Sequence, residues 1–282
     1  MTEKRERATG LLLAAPVLIG TLIFFLLPFG IMVRYSLAEV PGGGGWKNYT
    51  MVLSSGTFRT AAFNTFRFIA IGVTLLLVVS MGLALLVRTK LPGVSLLRPV
   101  LLFPMILPVG AIVMFLEYLL SETGLLNQFL AVFGLASRDW IHSSAAFGIL
   151  ILLYLWKYAG YDMILLLAGM NMIPREQAES ASLDGASGRQ IFFHITLPQM
   201  TPVLFFTFVI SVVNSFKIYR EAFLLGGERP DRSIYMLQHF LNNNFDNLNY
   251  QRLSVAAVLV FLCIFLLTGA LYLVQRKYGE DI

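Results

Sequence analysis

Residues 11–32 read LLLAAPVLIGTLIFFLLPFGIM, twenty-two positions without a single charge. A helix crossing the apolar core of a bilayer needs roughly 20 such residues. With no water there to satisfy the backbone, the run can only fold as a helix that bonds its own N–H and C=O groups. Five more runs of this kind follow along the chain: about Phe63 to Val87, Pro99 to Leu120, Ala145 to Met170, Thr201 to Leu225 and Leu253 to Val274. The sequence therefore predicts an all-α, polytopic membrane protein with six transmembrane helices in one domain, residues 1–282.

Composition agrees. Of 282 residues, 57% are hydrophobic and only 13% charged, against about 25% charged in a soluble domain. Mean hydropathy is +0.74. The first run follows Glu3-Lys4-Arg5-Glu6-Arg7, which resembles the basic start of a signal peptide. The run is too long for a signal segment and shows no small-residue cleavage site, so we read it as a retained helix. Pro16 and Pro28 inside it predict kinks, tolerated because neighbours can satisfy the freed carbonyls.

Little here points to catalysis or metal binding. One cysteine, Cys263, allows no disulfide within the chain and reads as packing. His142, His194 and His239 fall in different loops without ligand spacing. The net charge of +5 does not call for nucleic acid, because basic residues gather at the cytoplasmic ends of membrane helices. That rule also sets orientation. Lys4, Arg5 and Arg7 precede the first run, and Arg88, Lys90 and Arg98 fill the second loop without an acid. Arg276 and Lys277 close the chain. Both termini and the second and fourth loops are expected in the cytoplasm, as an even number of spans requires. Among the outer loops, Gly42 to Gly45 form a tetraglycine beside Trp46 and Tyr49, and Gly226 to Asp231 read as a turn-rich loop.

The fourth loop, residues 172–200, is the informative one. Pro174 suits a first helical position, and Glu176 and Glu179 suit the first turns of a helix by its dipole. Ala178, Ala181, Ser182 and Gly185 then recur at i, i+3, i+4 and i+7. Four small residues on one face let another surface come close to the backbone. A short helix, a turn at Gly185 and a second short helix ending before Pro198 would make a compact knuckle. Two readings fit the spacing: a knob for a groove on a soluble partner, or an amphipathic helix lying on lipid headgroups.

Glu179-Ser180-Ala181, then Gly185 after three intervening residues, and Ile195-Thr196-Leu197-Pro198 after nine more resemble the EAA loop of bacterial ABC importer permeases. Only Ser180, for the middle alanine, departs from the pattern. Leu183-Asp184-Gly185-Ala186 resembles the sugar-type subfamily. So do Asn48-Tyr49, Asn64-Thr65, Pro104 with Pro108, Gly124 with Asn127, and Trp156 ahead of Ala168-Gly169. Within that subfamily the chain is more similar to the maltose-type permeases, as Gly226-Gly227 with Pro230-Asp231-Arg232 suggests.

The resemblance implies a permease subunit of the bacterial or archaeal inner membrane with a cytoplasmic EAA coupling helix. It implies a second homologous permease subunit, an ATPase subunit pair and an extracytoplasmic substrate-binding protein as partners, besides membrane lipid. The chain has no Gly-x-x-x-x-Gly-Lys-Ser/Thr phosphate loop, so ATP and magnesium are expected on the ATPase and no enzyme activity here. Glu179, Ser180, Ala181, Asp184 and Gly185 would form the coupling contact.

Costly polar residues inside spans mark solute paths. Ser211, Asn214 and Ser215 share a face of the fifth run, followed by Lys217, Arg220 and Glu221. The fourth run carries Trp156, Lys157, Tyr158, Tyr161 and Asp162. The resemblance places Tyr161 and Ser211 to Ser215 near sugar contacts, while Lys157, Lys217 and Arg220 would meet a charged solute if they face the cavity. The plainer alternative is that Asn214 and Ser215 bond neighbouring helices, Lys157 pairs with Asp162, and Arg220 and Glu221 reach the outer interface. Glu117 and Arg67 read as polar groups near the interface or between helices. Rival functions are an ion-coupled secondary transporter, which would want chains of intramembrane acids beyond Glu117, Asp162 and Glu221, and an ABC permease for amino acids, peptides or phosphate.

Overall fold

The computed structural model describes residues 2–39, 43–89 and 93–279. Gly42 and Lys90 lie outside the described residues, as do the side chains of Lys4, Arg5, Arg7, Arg276 and Lys277. The described chain is predominantly helical. Helices α1 (Thr2–Thr21) and α2 (Leu27–Ser36) are followed by α3 (Lys47–Ser54), α4 (Gly56–Phe68) and α5 (Thr74–Arg88). Next come α6 (Val94–Ile106), α7 (Val109–Leu120), α8 (Leu125–Val132) and the long α9 (Ala145–Met172). The fourth loop holds α10 (Arg175–Leu183), α11 (Gly188–Ile191) and α12 (Leu197–Gln199). The chain ends with α13 (Thr201–Lys217), α14 (Tyr219–Gly226), α15 (Leu237–Asp246) and α16 (Tyr250–Gly279). Among the described residues, six stretches are long and apolar enough to cross a membrane: Leu12–Ser36, Gly56–Arg88, Val109–Val132, Ala145–Met172, Thr201–Gly226 and Tyr250–Ala270.

Two differences from the expected spans have a proline behind them. The run from Pro99 to Leu120 is two helices, broken at Leu107 and Pro108, both in extended backbone. Proline lacks an N–H and pushes the residue before it out of the helical region. At Pro28 and Pro198 the helix is not broken. In each case a π turn ends two residues earlier, at Leu22–Leu26 and at Phe192–Thr196. The wider turn absorbs the carbonyl that proline cannot bond. The second arm of the knuckle consequently runs through Pro198 instead of ending before it. The second span starts at Gly56, earlier than Phe63, because Gly56 to Phe68 stays helical ahead of the apolar run.

The chain divides into two compact units. The first comprises Met1–Arg59 and Phe240–Phe265. Within it the ring of Phe29 lies 4.5 Å from that of Phe261, and that of Phe58 lies 5.4 Å from that of Phe240. Buried Asn48 donates to the carbonyls of Ser36 and Ala38, and the Tyr49 hydroxyl bonds the Ser36 hydroxyl at 2.8 Å. The first span leaves Leu12, Val17, Phe24 and Phe25 more than two-thirds exposed, as lipid-facing surface requires. Cys263, expected to pack, is exposed.

The second unit, Thr60–His239 with Leu266–Ile282, is organised around α9, against which α5, α6 and α13 pack. Membrane helices approach through small residues, and here three glycines mark the contacts. A Cβ on Gly160 would stand 2.0 Å from the Leu101 carbonyl oxygen of α6. One on Gly169 would meet Val203 of α13, and one on Gly72 would meet Ile151 and Tyr154. Phe68, Leu76, Leu150, Tyr154 and Ile218 fill one core, and Ala84, Met163, Leu166, Met170 and Met200 a second.

Candidate functional site

The knuckle begins at Pro174, which takes extended backbone just ahead of α10 and not a helical position. No residue of α10 is buried. The helix closes as the expected turn. The Ala186 N–H bonds the Ala181 carbonyl at 2.9 Å and the Gly185 N–H the Ser182 carbonyl at 3.1 Å. Gly185 sits at φ +86°, the left-handed geometry this closure demands and that glycine adopts without penalty. Ser187 then caps α11. Its hydroxyl accepts from the Gln190 N–H while the Gln190 side chain accepts from the Ser187 N–H. The Gln199 amide donates to the Gln177 side chain, stapling the returning arm to α10.

Between the arms lies an open hollow of about 620 Å³ lined by Glu176, Gln177, Ser180, His194, Ile195, Pro198 and Gln199. Glu179, Ser180, Asp184 and Gly185 are exposed and Ala181 is half-buried. Leu183, which the small-residue periodicity passed over, is 90% exposed, the most exposed of the large apolar side chains among the described residues. It is a single large apolar side chain on an otherwise polar, uncovered helix. Its only signal in the sequence was a leucine standing among polar and small neighbours.

The polar residues of the fourth and fifth spans have partners the sequence did not assign. Lys157 is paired with Glu221, not Asp162, and both are buried. Glu221 therefore does not reach an outer interface, whereas Arg220 is exposed. Asp162 Oδ2 lies 2.6 Å from the Ser211 hydroxyl, which also bonds the Thr207 carbonyl, and the Tyr154 hydroxyl donates to the Ser211 carbonyl at 2.6 Å. The Ser215 hydroxyl bonds the Val212 carbonyl at 2.6 Å, and the exposed Lys217 donates to Asn214 Oδ1 at 2.8 Å. Tyr161 is half-buried. The structure thus brings Ser211 together with the fourth span, and turns Asn214 toward Lys217. Arg67 lies 4.0 Å over the ring of Phe147, and Glu117 is exposed.

Three amide or hydroxyl clamps hold the connecting segments. Asn127 donates to the carbonyls of Ser121, Glu122 and Arg138 and accepts from the Trp140 ring N–H at 2.9 Å. Asn64 donates to the carbonyls of Arg232 and Tyr235, and Thr65 accepts from the Leu237 N–H. His239, on a helix and not in a loop, accepts from the Met236 N–H between the rings of Tyr219 and Tyr235. Its burial pushes its pKa down to about 4, so it stays neutral and keeps that acceptor.

Comparison with known proteins follows the same lines. Residues 77–280 match the family described as binding-protein-dependent transport system inner membrane component. The trehalose/maltose transport system permease protein MalF of Thermococcus litoralis is 28% identical over 98% of this chain and 96% of its own length. The sn-glycerol-3-phosphate transport system permease protein UgpA of Salmonella typhi is 32% identical, over 75% of this chain and 74% of its own. A chain from the crystal structure of a bacterial alginate ABC transporter, in complex with alginate pentasaccharide-bound periplasmic protein, superposes with a TM-score of 0.83 at 20% identity. It covers 97% of this chain and 96% of that one.

Proposed function

Since this chain belongs to the binding-protein-dependent transport system inner membrane component family, we propose that it is the membrane-spanning subunit of an ABC importer that moves sugars inward by alternating access. A second homologous permease completes the cavity. An ATPase pair, which holds the ATP and magnesium, grips the knuckle from the cytoplasm, and an extracytoplasmic binding protein delivers the solute. Both termini lie in the cytoplasm. The observation that carries the reading is the bare knuckle. A helix with no buried residue, closed by Gly185 and stapled by Gln177 and Gln199, is rigid enough to transmit a push and exposed enough to receive one.

Glu179, Ser180, Ala181, Asp184 and Gly185 make that contact, with Leu183 as its apolar point. In the membrane, Tyr161, Ser211, Asn214 and Ser215 line or support the solute path. Ser211, Asn214 and Ser215 act from behind, since all three are buried and bonded within the bundle, leaving the half-buried Tyr161 nearer the solute. A second reading, an anionic sugar or sugar phosphate, is favoured by Lys217 and Arg220, both exposed on the stretch Thr201–Gly226. A ligand panel on the binding protein separates the two.

Reversing the charge at Glu179 is the direct test. Unfavourable charge at a docking contact costs several kcal/mol, and each 1.4 kcal/mol is about tenfold in affinity. Glu179→Lys is therefore expected to cut ATP-dependent uptake into proteoliposomes by about tenfold or more, while the knuckle keeps its fold. Unchanged uptake would remove Glu179 from the contact. Uptake that persists in vesicles lacking the ATPase altogether would overturn the importer reading itself.

A further inference from the structure

At the end of the second unit that carries the knuckle, three arginines from separate segments converge. Arg88 closes α5, Arg98 lies near the start of α6, and Arg175 opens α10. With Asn171 they line a hollow of about 340 Å³ whose floor includes buried Val87 and Leu167. No acid lines it. Among the described residues, none of the three guanidinium groups is hydrogen-bonded or ion-paired. The three arginines are exposed; like charges gathered around one cavity repel one another, and no acid among the described residues lining it offsets that.

The chemistry that would offset it is a phosphate. Guanidinium presents a planar fork of donors matched to phosphate oxygens, and basic hollows between membrane helices at the cytoplasmic side suit phosphate headgroups. The helix that supplies Arg98 also exposes Leu96, Val100, Phe103 and Ile106 on one face, each more than half exposed. That stripe is apolar surface of the kind acyl chains cover. We propose that Arg88, Arg98 and Arg175 form a binding site for a phosphate group, carried by an anionic phospholipid or present as inorganic phosphate. Because Arg175 is the first residue of α10, an occupied site ties the coupling helix to the ends of α5 and α6. The site is independent of the sugar and of the ATPase contact.

The test uses the full-length chain, extracted in detergent with the subunits that copurify. Native mass spectrometry follows retained phosphatidylglycerol, and equilibrium dialysis follows labelled inorganic phosphate. Losing one charge-assisted hydrogen bond weakens binding by about tenfold or more. Arg98→Gln should show that loss, and the triple Arg88→Gln/Arg98→Gln/Arg175→Gln should bind neither probe. Arg175→Lys, which keeps the charge and loses the fork, should fall between, and Arg229→Gln should match wild type. Lipid retained by wild type and lost by the variants supports the headgroup source. Phosphate bound by wild type without retained lipid, and lost by the variants, supports the free anion. If the triple variant aggregates, the single variants decide. Equal binding of both probes by wild type and Arg98→Gln overturns the site.

Discussion

Lys157→Met is expected to destabilise the protein by about 3–5 kcal/mol, the loss typical when one partner of a buried ion pair is removed. The residue is 7% exposed and Glu221 fully buried. Only one carboxylate oxygen of Glu221 is engaged, Oε2 having no hydrogen-bond partner among the described residues. Removing the ammonium leaves a fully buried carboxylate without its counter-ion. The pair also ties α14, which starts after the turn at Ile218, to α9. The substitution should therefore lower the thermal unfolding midpoint in detergent and loosen Tyr219–Gly226 to proteolysis. Lys157→Met/Glu221→Met should recover most of the loss, because a well-packed apolar pair replaces two buried charges at little net cost. A double variant as unstable as the single one would show that the pair is not what holds α14.

A comparable loss is expected from one added methyl group. Gly160→Ala places a Cβ 2.0 Å from the Leu101 oxygen and 2.3 Å from its carbonyl carbon. Both are backbone atoms of α6, so no rotamer change relieves the overlap and one helix must move off the other. We expect a cost of more than about 4 kcal/mol, in the range that marks a specific disruption, read as loss of monodisperse protein after extraction. Gly148→Ala on the same helix gives the opposite sign. Nothing lies within 4 Å of its Cβ, and alanine in a helix is favoured over glycine by up to about 1 kcal/mol. If Gly160→Ala unfolds like wild type, the backbones of α6 and α9 do not meet at Gly160 and Leu101.

The contrast between these residues and the knuckle explains what could be read in advance. In the knuckle the turn and cap interactions are local, the Gln177–Gln199 staple alone reaching from one arm to the other. The Gly185 closure spans six residues, the Ser187–Gln190 box four, and the glycine, small residues and acids carry those geometries in their chemistry. Lys157 and Asp162 looked like a pair because they are near in sequence. Five residues apart on a helix they point about 140° away from each other, so each finds a partner elsewhere: Lys157 on α14 and Asp162 on α13. The serines at 211 and 215 read as a solute-facing stripe for the same reason. Periodicity shows that they share a face, not what that face meets.

By itself, then, the sequence determined the class of protein and the shape of the fourth loop. Apolar run length dictates insertion, since an unbonded backbone in lipid is too costly to leave in any form but a helix. Turn and cap chemistry dictates the knuckle within its own two dozen residues. Only the tertiary structure decided the rest: that Pro108 breaks a span while Pro28 and Pro198 are absorbed by π turns, that Lys157 belongs to Glu221, that Gly160 admits the backbone of α6, and that Arg88, Arg98 and Arg175 share one hollow. The physical reason is common to all four. In a chain whose helices are apolar on nearly every face, hydrophobic pattern does not say which face meets which neighbour. That choice is made by close packing and by the few buried polar groups, acting between segments far apart in sequence.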